Sequence, residues 1–171
     1  MVTALVIVRE DDPGLLDTLA ALVPAVADGV VRDALLLSVR ETEFLRTVAD
    51  ASGCGLVTAG APDLLAQGAR AARSPWVLAL EAGMVPGGLW MDDIADAVTA
   101  QQPSVFTLRS RGGPAQALRA AALNAAATLF GRAPRDLGLV APREALMGPT
   151  APRVRRLPST LHDRRGPRRP S

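Results

Sequence analysis

Ser74-Pro-Trp-Val-Leu-Ala-Leu-Glu-Ala-Gly-Met-Val-Pro86 decides the fold. Residues 77–80 form an unbroken apolar run, the pattern of a strand buried on both faces. The run stops at Glu81, and Ala82, Gly83 and Pro86 are expected to turn the chain away. In an open parallel α/β sheet, ligands bind outside the carboxyl ends of such strands. A buried strand ending in a carboxylate and a glycine turn is therefore the first place to look for chemistry.

Working outward, residues 2–8 read as a second such strand, followed by Arg9-Glu-Asp-Asp12. Asp12 is suited to cap a helix that opens at Pro13 and carries Leu15, Leu16, Leu19, Leu22 and Val23 up to Pro24. Residues 30–39 and 55–58 are further strands, each followed by a helical pattern, the first of which ends near Gly53. Beyond the opening stretch come a helix over 89–100, a strand over 104–108, a polar loop over 109–114 and an Ala-rich helix from 115 to about 130. A strand-like run at 137–141 and a short helix near Glu144 complete the series. Alternating strands and helices predict an α/β domain of the Rossmann-like three-layer α/β/α kind, with a mostly parallel sheet. Periodicity does not order the strands, and another Rossmann-like arrangement is the alternative.

The chain has 171 residues, enough for one domain with a substantial core. Hydrophobic residues make up 49% and aromatics only 3%, so the core must rely on aliphatic packing. The formal charge of +2 conceals an asymmetry, because residues after Pro149 carry many Arg and only Asp163 as an acid. Residues 1–149 are accordingly expected to be the domain, and 150–171 an Arg/Pro-rich tail without structure. Deleting that tail is expected to leave folding intact. Its partners would be an anionic membrane surface or an acidic protein; without interleaved aromatics, no sequence-specific nucleic acid is expected.

A single cysteine, Cys54, excludes an intramolecular disulfide and reads as a small buried filler. With no signal-peptide pattern and no apolar stretch of membrane-spanning length, the expectation is a cytoplasmic protein, peripheral at most to the inner face of the membrane. His162, inside the Arg/Pro-rich segment, is expected to be exposed. Asp92, Asp93 and Asp96 at a helix start complement its dipole.

Three blocks of sequence carry a resemblance. They are residues 3–22, with Thr3-Ala-Leu-Val-Ile-Val-Arg-Glu-Asp11; residues 35–53; and residues 60–86, with Gly68-Ala-Arg-Ala-Ala-Arg-Ser-Pro-Trp76. A shorter piece is Arg135-Asp-Leu-Gly-Leu139 with Arg143-Glu144. Together they resemble the small bacterial family 2 glycosyltransferases, nucleotide-sugar enzymes of GT-A fold.

The resemblance implies a donor site at the strand ends, but several of its ligand positions are altered. Asp11 keeps one carboxylate of the family's Asn-Glu pair, and Ser38 stands where an Asp holds the nucleotide base. Ala61, Leu64 and Ala66 replace an Arg, a Gln and an Asn. Gly83 takes the place of the metal-binding Asp, leaving Glu81 as the carboxylate available at that strand end. Asp136 matches the late Asp that acts near the acceptor.

A divalent cation, Mn²⁺ or Mg²⁺, is therefore expected only if this degenerate site still works, with Glu81 as its ligand. Arg40, Arg70 or Arg73 could otherwise supply the positive charge that a diphosphate requires. Two readings stay open: an unusual transferase acting on a nucleotide-sugar donor, and a non-catalytic descendant that binds or regulates.

Overall fold

The structure is a computed structural model describing residues 1–9, 12–110, 113–148 and 150–163. In chain order the elements are β1 (Val2–Ile7), α1 (Gly14–Ala27), β2 (Val31–Ser38), α2 (Glu43–Ser52), β3 (Gly55–Thr58), α3 (Leu64–Ala71) and β4 (Trp76–Glu81). There follow β5 (Met84–Gly87), α4 (Trp90–Thr99), β6 (Ser104–Ser110), α5 (Pro114–Phe130), β7 (Leu139–Pro142), α6 (Arg143–Met147) and β8 (Arg155–Asp163).

Among the described residues the strands form one sheet in the order β3-β2-β1-β4-β7-β6-β8-β5. β3, β2, β1 and β4 are mutually parallel, and β7 runs antiparallel to both β4 and β6. The fold is α/β, as the alternating pattern predicts. Two apolar clusters flank the sheet, divided by the period of two along each strand. Val2, Ala4 and Val6 join one cluster with Leu15, Leu45 and Ile94, while Leu5 and Ile7 join the other with Leu64, Ala69 and Leu146. β1 and β4 are thus buried on both faces, which is why they read as continuous apolar runs.

The sheet must curl. β4 and β5 are joined by Ala82 and Gly83 alone, yet β7, β6 and β8 lie between them in the sheet order. Four strand spacings in a flat sheet would span roughly 19 Å, whereas three Cα steps reach about 11 Å at most. Residues 82–86 therefore form a tight turn and a strand, not the open loop their Gly and Pro content suggests.

Local chemistry sets the helix ends. Thr42 Oγ1 accepts from Leu45 N at 3.2 Å to cap α2, which Gly53 closes at φ 69°. Asp12 Oδ1 accepts from Gly14 N at 2.8 Å at the start of α1. α1 continues through Pro24 to Ala27, beyond the stop that proline predicts. Pro24 forfeits one helical bond, but its carbonyl accepts from Asp28 N at 2.9 Å, and Ala25 is fully buried.

The larger departure is β8. Sequence composition places residues 150–171 outside the domain, whereas Arg155–Asp163 is a strand between β6 and β5. Leu157, Ser159 and Leu161 alternate inward. Register against β6 steps from Val105↔Arg156 to Thr107↔Thr160, so Pro158 sits in a bulge, where its missing N–H costs no ladder bond. Side chains from neighbouring elements pair with the bulge: Thr107 Oγ1 donates to Leu157 O at 2.8 Å, and Asp93 Oδ2 accepts from Ser159 N at 2.9 Å and from the Ser159 hydroxyl. Residues 164–171 lie outside the described residues. No helix among the described residues is long and apolar enough to cross a membrane.

Candidate functional site

Parallel β1, β2 and β4 end at the same edge, where Ile7 lies in register with Glu81. Because β7 runs antiparallel to β4, with Leu139 opposite Ala79, the loop before β7 returns to that edge carrying Asp136. Three chain segments distant in sequence therefore meet over the strand ends. Arg9 bridges them: its Nε lies 2.8 Å from Glu81 Oε1 and its Nη2 lies 3.0 Å from Asp136 Oδ2. The Glu81 side chain is 7% exposed and that of Asp136 28%, while Arg9 remains 60% exposed.

Asp136 holds its proton above the ordinary aspartate range. Burial is the main cause and the nearby negative charge of Glu81 the second; a backbone hydrogen bond and Arg9 oppose them. The carboxyl group is thus a stronger base than a solvated aspartate once ionised.

Beside this triad lies an open cleft of about 700 Å³, lined by Val8, Arg9, Ser38, Arg40, Leu64 and Asp136, among others. Arg40 and Ser38 come from the end of β2, and the Ser38 hydroxyl accepts from Arg40 N at 3.4 Å. Ala61, Leu64 and Leu65, at the entry to α3, make one wall apolar.

The structure brings Ser38, Asp136 and Arg40 into this cleft, and Arg9 ties Glu81 to it. Gly83 is elsewhere. It is buried at φ 83° in the β4–β5 turn, and its N–H reaches Thr18 Oγ1 at 2.9 Å and Gly14 O at 3.1 Å. The Thr18 hydroxyl in turn donates to Met84 O at 2.9 Å, fastening the turn to α1. Asp11 lies outside the described residues. Arg73 does not serve the cleft: it precedes β4 at the opposite edge, with its Nε 3.7 Å from Asp33 Oδ2. Arg70 is exposed near the end of α3.

Sequence reasoning placed Arg9 in the segment after the first strand but gave it no role. Its signal was its place, two residues past a doubly buried strand. His162 is half-buried on β8, with Nε2 2.9 Å from Thr160 Oγ1, and not exposed as its surroundings in the sequence suggested.

A hard cation needs several oxygen ligands. Glu81 and Asp136 could offer two, but both already hold the Arg9 guanidinium. Among the described residues no group of three or more His, Cys, Asp or Glu is placed to take a metal. The described residues therefore do not fit a metal centre at Glu81.

A curled, mostly parallel sheet flanked by helices, with a cleft over its strand ends, is the GT-A glycosyltransferase fold. Solved structures that share it include glucosyl-3-phosphoglycerate synthase from Mycobacterium tuberculosis in complex with Mn²⁺ and UDP-glucose. That match has a TM-score of 0.65 at 17% identity, over 99% of this chain and 72% of that one. The same synthase with Mn²⁺, UDP-glucose and glycerol 3-phosphate gives 0.66 at 17%, over 99% and 73%. Another crystal structure, described only as a mycobacterial protein, gives 0.66 at 15%, over 99% and 68%. At these identities the likeness establishes the fold alone. No protein-family model matches the sequence, and no curated protein matches it.

Proposed function

We propose that this chain is a glycosyltransferase-like protein of the family 2 type with a degenerate donor site. It takes a nucleotide-sugar through Arg9 and Arg40 instead of a carboxylate-held cation. The observation that carries this reading is the bridge from Arg9 to Glu81 and Asp136, which puts a guanidinium where two strand-end carboxylates converge. Guanidinium groups bind phosphate oxygens bidentately and keep their charge at every physiological pH. Arg40 opens into the same cleft, whose apolar wall of Ala61, Leu64 and Leu65 is suited to the face of a base. Solved proteins of this fold that hold UDP-glucose support the choice of ligand class.

In transfer, the bond from the sugar's anomeric carbon to the diphosphate oxygen breaks and the bond to an acceptor hydroxyl forms. Arg9 would stabilise the charge that develops on the leaving diphosphate. Asp136 would accept the acceptor's proton, a task for which its raised pKa suits it. Ser38 and Arg40 would position the nucleotide.

A second reading, a non-catalytic binding or regulatory module, draws on the same ion pairs. Arg9 is already neutralised by two carboxylates, and Ala61 and Leu64 offer a sugar or base no hydrogen bond. Titration calorimetry with a panel of nucleotide sugars, with and without Mn²⁺, separates the two. Saturable binding that does not need Mn²⁺ supports the guanidinium site. Binding that strictly requires Mn²⁺ overturns it, and no binding by any donor favours the module.

A further inference from the structure

α5 is the least buried helix of the fold: of its 17 residues, Ala127 is the buried one among those described. Leu118, Ala122, Ala125 and Leu129 follow one another at helical spacing on one face, and all four are exposed. This stripe runs about 16 Å along the helix. It ends at Leu129, 73% exposed, and Phe130, 69% exposed.

The charge around it has one sign. No Asp or Glu occurs between Asp96 and Asp136, or between Glu144 and Asp163. The turn after Phe130 is bound to the segment leading into β8, with Val154 N donating to Gly131 O at 2.9 Å. That contact brings Arg132 and Arg153 to the tip of α5, and Arg155 and Arg156 follow at the start of β8. All four are exposed, and none is ion-paired with a described residue. The helix's own C-terminal dipole contributes about half a negative charge, far less than four whole positive ones.

We propose that the tip of α5 is a docking surface for an anionic lipid bilayer. Leu129 and Phe130 enter the interface, and Arg132, Arg153, Arg155 and Arg156 meet the headgroups. This reading is independent of the donor site. Charge complementarity selects the bilayer over a second copy of the chain. A parallel two-fold pairing of α5 with itself sets Arg119 against Arg119 and Arg132 against Arg132, and an antiparallel one offers them no carboxylate, since residues 114–130 carry no Asp or Glu. Anionic headgroups neutralise each of them. Exposed aliphatic and aromatic side chains ringed by arginine are the composition of an interfacial anchor.

The test is flotation of the full chain with vesicles of phosphatidylcholine, alone or mixed with phosphatidylglycerol. Binding is expected only to the mixed vesicles and is expected to weaken with salt. Arg132→Ser with Arg153→Ser should lower partitioning roughly 10- to 30-fold. Leu129→Ser with Phe130→Ser should also abolish flotation while leaving the melting temperature unchanged, since these side chains are exposed. Absent flotation, equal binding to both vesicle types, or variants that bind like the native chain would overturn the proposal. So would a dimer, or a nucleic-acid complex, lost in these variants when vesicles never bind.

Discussion

Arg9 Nε donates to Glu81 Oε1 at 2.8 Å, so the carboxylate at the end of the central strand faces a guanidinium across the site. Glu81 is nearly buried and would be strongly disfavoured as an unpaired charge. Arg9→Met is therefore expected to remove the guanidinium that bridges the Glu81 and Asp136 carboxylates. Its binding of a nucleoside diphosphate should weaken roughly 10- to 100-fold, the value of a charge-assisted hydrogen bond or two. A cation should then be able to take the guanidinium's place between Glu81 and Asp136, so that Mn²⁺ raises the melting temperature of Arg9→Met and leaves that of the native chain unchanged. Equal Mn²⁺ responses in both would show that Arg9 does not occupy a cation's place.

Asp136 gives a pH-dependent prediction. Its proton is held more tightly in the folded chain than in the unfolded one, first through burial and then through Glu81. Folding thus favours the protonated form. The resulting stability is complete below the ordinary aspartate pKa of about 3.9 and is lost as pH rises through the raised value. Asp136→Asn carries no charge and escapes that loss. Its cost through Arg9 is small, because Arg9 is 60% exposed and its pairing is screened. The variant should melt no lower than the native chain near neutral pH, with any advantage closing toward about pH 4. A variant clearly less stable than the native chain at neutral pH would mean that the Arg9 contact outweighs burial.

Thr18 and Gly83 predict a stability effect without a metal effect. The Thr18 hydroxyl accepts from Gly83 N and donates to Met84 O inside the core. Thr18→Val keeps the shape but takes the hydroxyl donor from Met84 O and leaves Gly83 N to Gly14 O, a loss of about 1–3 kcal/mol that Thr18→Ser should largely avoid. Gly83→Asp restores the carboxylate that the resemblance finds missing, but at φ 83° and on a turn packed against α1. A left-handed conformation costs a non-glycine residue roughly 1–2 kcal/mol. Its melting temperature should fall and its Mn²⁺ affinity should not rise; calorimetry and thermal unfolding read both. A gain in Mn²⁺ affinity would show that the turn can face the cleft.

What was legible in the sequence follows from period and burial. Val77 to Leu80 announces a strand buried on both faces because every residue in it is apolar, and its neighbour β1 follows the same logic. Ser38 and Asp136 were singled out by the resemblance to the family 2 glycosyltransferases, not by period or burial. The direction of Gly83 could not be read at all, since it depends on Thr18, 65 positions away. Nor could the partners of Arg9, which depend on β7 being antiparallel, and a strand's apolar pattern carries no direction. β8 was hidden by composition: its Arg and Pro residues resemble a tail, although the inward alternation of Leu157, Ser159 and Leu161 was there to be read.

That strand yields the last prediction, which reverses the expectation that the chain after Pro149 is dispensable. β8 pairs with β6 on one side and β5 on the other, and β5 has no other strand partner among the described residues. Ending the chain at Pro149 removes the buried side chains of Val154, Leu157 and Leu161 and leaves β5 without its ladder. It also exposes Phe106 and Gly138, since Leu161 Cδ2 lies within 2.8 Å of where a Cβ on Gly138 would stand. Burial of each large aliphatic side chain contributes about 1.5–3 kcal/mol. The total approaches the whole net stability of a domain, about 5–15 kcal/mol. The truncated chain is expected to lose its cooperative thermal transition, as followed by circular dichroism. A truncated chain that melts like the intact one would place β8 outside the folding unit.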